Sequence, residues 1–165
     1  MTLSEGVPAW VLRGTVLLAT AVITLLLLAN GVALAGLIGL FGLVASLVPA
    51  SPAAGLTVIT TAVCAAIRFD SPLDITVLVL LPLVHLVHIG SALAAVIPGT
   101  ARVHPSALRP AAIRFAVVQT TAFAAAAIAA IAPKSVLPTG LEIAGLLAAA
   151  GVVVVAARLI LNRPQ

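Results

Sequence analysis

The placement of charge along the chain is the first guide to its structure. From Gly14 to Ile67, 54 consecutive residues carry no charged side chain. As one helix this run would be about 80 Å long, against a hydrocarbon core of about 30 Å. It predicts a chain that folds back on itself within a membrane. Two turn signals interrupt the run, Asn30-Gly31 and the stretch from Pro49 to Pro52. Cutting there gives apolar segments at Ala9–Ala29, Val32–Val48 and Ala53–Phe69. The second and third are 17 residues long, the lower end of the spanning range, so one of them is a candidate for a tilted or re-entrant helix.

Downstream the pattern is simpler. Ile75–Ile97 and Phe115–Ala132 are apolar runs of 23 and 18 residues. A third run, Thr139–Leu161, is broken only by Glu142 near its start and Arg158 near its end. Each is long enough to cross a bilayer. Ser71-Pro72-Leu73-Asp74 reads as a helix start with Ser71 at the N-cap, and Thr139-Gly140-Leu141-Glu142 as a capping box. Pro98 and Pro133 stop the helices before them, because proline has no N–H to continue the ladder. The predicted fold is all-α: a polytopic transmembrane bundle of six helices, with five or four as the alternative counts. It forms a single integral membrane domain over residues 1–165, with both termini cytoplasmic.

Basic residues set the orientation. With six helices and an internal N-terminus, Arg13, Arg102, Arg109, Arg114, Arg158 and Arg163 fall inside, and Arg68 and Lys134 outside. That is the bias of the positive-inside rule. Five helices with an external N-terminus divide the same residues five against three. Residues 98–114 then form a basic cytoplasmic loop. It either determines topology and meets anionic lipid through Arg102, Arg109 and Arg114, or docks a partner. Arg13 ahead of the Val16–Leu28 stretch, with Ala33-Leu34-Ala35 beyond it, also has the outline of a signal peptide. The expectation is that this segment is retained as the first membrane helix.

Composition agrees with a lipid solvent. Of the 165 residues, 63% are hydrophobic and 7% charged, where soluble domains have about a quarter charged. Abundant Ala, Gly, Pro and Arg match GC-rich codons, and with the topology they predict a bacterial cytoplasmic (inner) membrane. The net charge of +4 is spread over helix ends. It speaks for orientation and lipid headgroups, not for nucleic acid. Cys64 stands alone, so it forms no intramolecular disulfide and reads as a small buried hydrophobe. Small residues recur at packing intervals: Gly31, Ala35 and Gly39; Gly36, Gly39 and Gly42; Gly145 and Ala149; Ala144 and Ala148; and the Ala-rich run around Ala124–Ala127. Such faces pack helices of one bundle or dock other membrane subunits.

Chemistry concentrates on one helix. His85 and His88 lie three residues apart near the middle of Ile75–Ile97, and Ser91 continues the same spacing. Imidazole left unpaired in hydrocarbon is costly, so these rings must face protein or water. Pro82 frees a backbone carbonyl one turn earlier. Three readings stay open. The histidines bond to a neighbouring helix, with Gln119, Thr120 or Thr121 as partners; or they line a proton or ion path; or they bind a metal or haem. Positions three apart on one helix cannot supply both axial ligands of one haem, and His104 lies in the predicted loop. The site candidates are therefore His85, His88, Ser91 and Gln119, with no metal and no cofactor assigned.

The four acidic residues do not form a catalytic pair. Asp74 and Glu142 serve as caps, Asp70 lies beside Arg68, and Glu5 is near the N-terminus. Nucleophile, zinc-protease and phosphate-loop motifs are absent from the sequence. The expectation is a non-enzymatic protein whose partners are lipid and other membrane subunits. Three functions follow: an accessory or scaffold subunit of a larger membrane complex, a small transporter or channel using the His85/His88 face, or a cofactor-binding subunit. No motif points to a family.

Overall fold

The computed structural model describes residues 6–69, 71 and 73–131. The chain divides into two units, Met1–Ala130 and Ile131–Gln165. The expected Thr139–Leu161 helix, with its cap and the Pro133 stop, lies outside the described residues. So do Lys134, Arg158 and Arg163. The predictions of six helices and of one domain to residue 165 extend into the same region.

The described part is all-helical apart from one short ladder. A two-residue strand, β1 (Val7–Pro8), leads into α1 (Trp10–Leu27), which ends in a 3-10 turn at Leu28–Asn30. Then come α2 (Val32–Leu47), α3 (Ala53–Arg68), α4 (Ile75–Val96), a second strand β2 (Arg102–Val103) and α5 (Pro105–Ile131). α1, α4 and α5 are long and apolar enough to cross a membrane. α2 and α3 are apolar but have 16 residues each, about 24 Å of helix.

The turns sit where the sequence places them. Gly31 adopts φ of +118°, a backbone region open to glycine and strained for other residues, and so reverses the chain between α1 and α2. Between α2 and α3 the Ser51 amide donates to the Val48 carbonyl at 3.0 Å. Ile97 is extended (φ −100°, ψ 117°), as a residue before proline must be, and this ends α4 ahead of Pro98. The start of α4 differs from expectation. Its N-cap is Asp74, whose Oδ1 accepts from the Thr76 amide at 2.7 Å. Ser71 instead accepts from the Leu73 amide, closing a local turn. A carboxylate is the stronger acceptor for orphan helix amides.

The loop expected over 98–114 is also corrected: α5 begins at Pro105, ten residues before the apolar run. Proline suits a first helical turn, where its missing N–H costs nothing. His104, just ahead of it, supplies the cap, with Nδ1 3.3 Å from the Ser106 amide it accepts from and 2.7 Å from Ser106 Oγ. Only 97–104 connects α4 to α5. This connection pairs with the segment ahead of α1, antiparallel, Val7 opposite Val103 and Pro8 opposite Arg102. The Ala9 amide extends the ladder to the Ala101 carbonyl at 2.9 Å. The start of α1 and the α4–α5 connection thus share one end of the bundle.

Helix α1 is the hub, packed broadly against α2 and α4, with α3 closing the bundle beside α2 and α4. Val16, Ile23, Leu27, Ile38 and Val87 fill its interior. On α2 the inward row is Ala35, Ile38, Gly42 and Ala45, while Gly36 faces open space. The outer surface is apolar, with Leu18, Leu25, Val32 and Ile67 all exposed. α5 stands apart. Of its spanning window 6% is buried, against 28% for α1 and for α4.

Candidate functional site

The site forms where α5 meets α4. The His85 ring, one turn past Pro82, points toward α5. Its Nδ1 lies 2.9 Å from the Gln119 amide nitrogen, and the ring stacks on Phe115 with centroids 4.9 Å apart. Phe115 and Gln119 are one turn apart on α5, so a single face holds the ring from two sides. Gln119 is buried, the one residue of α5 so placed among those described. Thr120 and Thr121 are not partners. Each hydroxyl donates to the carbonyl four residues back in its own helix.

The other candidates separate. His88 is exposed, on the groove side of α4. Ser91 is not on that face: it is 2% exposed, turned into the bundle, and its Oγ has no hydrogen-bond partner. Each three-residue step falls back by about 60° around a helix, so Ser91 lies about 120° from His85. Arg102 sits on the β-ladder, where its Nη1 donates to the Gly6 carbonyl at 3.5 Å. Arg109 and Arg114 are exposed on α5, about 140° apart around its axis. Arg114 borders a groove with His88 between α4 and α5.

Beside the His–Gln pair is a cavity of about 540 Å³ between α3, α4 and α5, open to the outer surface at one side, where Leu81, His88 and Val118 are exposed. Its walls are Val, Leu and Ala, with His85, His88, Gln119 and Thr61 as the polar groups. Thr61 was not legible in the sequence as a site residue. It is 1% exposed, and its hydroxyl has no partner. The Gln119 Oε1 is likewise buried and unpartnered. Among the described residues no three His, Cys, Asp or Glu side chains gather as a metal site would require.

The fold and site define a helical membrane protein with a polar pair between two of its helices. Comparison with family models, curated proteins and solved structures finds no match to this chain.

Proposed function

We propose that this chain is a small, non-catalytic integral membrane protein serving as an accessory or scaffold subunit of a larger membrane complex, in a bacterial inner membrane. The observation that carries this reading is α5. Among the described residues of this 27-residue helix one, Gln119, is buried, while Ile113, Val117, Val118 and Phe123 are exposed. A helix that gains so little from its own bundle gains its packing from neighbours in the membrane. The shared end of the bundle carrying Arg13, Arg102 and the start of α5 is the cytoplasmic one in this proposal, with Arg102, Arg109 and Arg114 meeting anionic headgroups or partner loops.

The test is purification of the tagged chain from its native membrane in mild detergent, beside the variant Val117→Trp. A partner in near-stoichiometric amount, lost from the variant and depleted from cells lacking this chain, is the expected result. A chain that emerges alone, or only as copies of itself, overturns the reading.

A second reading, a small transporter or channel, draws on the cavity bordered by His85 and His88. It expects flux in reconstituted vesicles that His88→Ala alters while the helices stay folded. Equal flux in variant and parent removes its support.

A further inference from the structure

We propose that the cavity between α3, α4 and α5 binds an uncharged, largely hydrocarbon molecule that carries a hydroxyl group. In these helices a threonine hydroxyl ordinarily donates to the carbonyl four residues earlier, as Thr15, Thr20, Thr24 and Thr57 do at 2.8–2.9 Å. Thr61 makes no such bond, although it is almost wholly buried and lines the cavity wall. A buried hydroxyl without a partner is destabilising, and a ligand group that bonds to it removes that cost.

Gln119 repeats the pattern from the opposite wall. Its amide nitrogen is used by His85, and its Oε1 is buried without a partner. The hydrogen bond of the pair can run in either of two senses. If the amide nitrogen donates to Nδ1, an uncharged imidazole carries its proton on Nε2, leaving one free donor on the ring and one free acceptor on the amide. If the amide is turned over, the ring keeps the acceptor and the amide the donor. Either way the pair offers at least one donor and one acceptor. A hydroxyl, which both gives and accepts, matches it in both arrangements. A ketone or an ether matches half.

The remaining wall fixes the rest of the ligand. Val58, Leu80, Leu81, Val84 and Val118 are apolar, and among the described residues no Lys, Arg, Asp or Glu borders the space. A carboxylate or phosphate would enter without a counter-charge. The volume is in the range of small-molecule pockets. Membrane-soluble alcohols and phenols share the required chemistry with diacylglycerols of the bilayer itself. This site is independent of the accessory role, since a subunit can hold such a ligand with or without its partners.

The experiment uses the full chain in phosphatidylcholine nanodiscs and a diazirine-bearing dodecanol, with adducts mapped by mass spectrometry. Adducts are expected on residues of α3, α4 and α5 that line the cavity. Excess dodecanol suppresses them; dodecane does not. Thr61→Val keeps the shape of the wall and raises the dodecanol needed for half-suppression about three- to tenfold. Gln119→Met, of similar length, shows the same shift by a different residue. Suppression by dioleoylglycerol assigns the ligand to the bilayer, and suppression by 4-octylphenol alone assigns it to a smaller free molecule; both support the site. Dodecane competing as well as dodecanol, adducts spread over the outer surface, or both variants behaving as the parent overturns it.

Discussion

His85 Nδ1 and the Gln119 amide nitrogen, 2.9 Å apart, form the one side-chain hydrogen bond between two helices among the described residues. With the Phe115 stack it joins α5 to α4, and Gln119 is the one buried residue of α5 among those described. Interhelical hydrogen bonds in membranes are worth about 0.6 kcal/mol on average and about 1.7 at most. A double-mutant cycle of His85→Phe, which preserves a ring against Phe115, and Gln119→Leu should give a coupling energy in that range, measured by unfolding in detergent mixtures. A coupling of zero would mean that the pair merely touches.

Helices α1 and α2 approach closely where they cross. A β-carbon on Gly42 would collide with the Thr20 side chain, whereas one on Gly36 meets nothing within 4 Å. Gly42→Ala should therefore destabilise the bundle by about 1–3 kcal/mol, the usual cost of overpacking, and Gly36→Ala should leave it unchanged. Thr20→Ala added to Gly42→Ala should recover part of the loss. Equal effects of the two glycine substitutions would contradict this contact.

Helix ends supply a third prediction. Asp74→Ala removes the carboxylate that caps α4 at 2.7 Å and should cost about 0.5–2 kcal/mol, the range for lost N-caps. Ser71→Ala removes a 3.3 Å contact outside the helix and should cost clearly less. Thermal unfolding of the two variants side by side decides between them. A larger loss at Ser71 would restore the cap read from the sequence.

Much of this bundle is legible in the residues. Apolar runs and the Asn30-Gly31 and Pro49–Pro52 punctuation place α1, α2 and α3 within about two residues, because lipid leaves the backbone few options but helix. The start of α5 is not legible that way. Hydropathy sees where the apolar run begins at Phe115, while the helix begins at Pro105, set by a His104 cap and by a proline that is equally at home in a loop. The site divides similarly. His85 and Gln119 stand out as polar groups in apolar helices, and polar groups at that depth need partners. Thr61 has the same surroundings as Thr57, one turn away, and only the packing of three helices distinguishes the unbonded hydroxyl from the bonded one. Ser91 misled because a three-residue spacing drifts around the helix. The β-ladder joins residues about a hundred positions apart through backbone groups, which leave no mark on side-chain patterns.

That ladder leads to the sharpest test of the topology. Val7 lies opposite Val103, and the α4–α5 connection cannot leave the end of the bundle where α1 starts without breaking it. Val7→Cys with Val103→Cys should oxidise to a disulfide in native membranes, read as a mobility shift reversed by reductant. Single cysteines extend the argument across the bilayer. Thr100→Cys belongs to the same end as Val7, and Ser71→Cys to the opposite end of α4, so an impermeant thiol reagent should label one and not the other in intact cells. The arginine bias makes Thr100 the shielded position and Ser71 the labelled one. Reversed labelling would invert the protein in the membrane and leave its fold intact. Labelling of both from one side would mean that α4 does not cross.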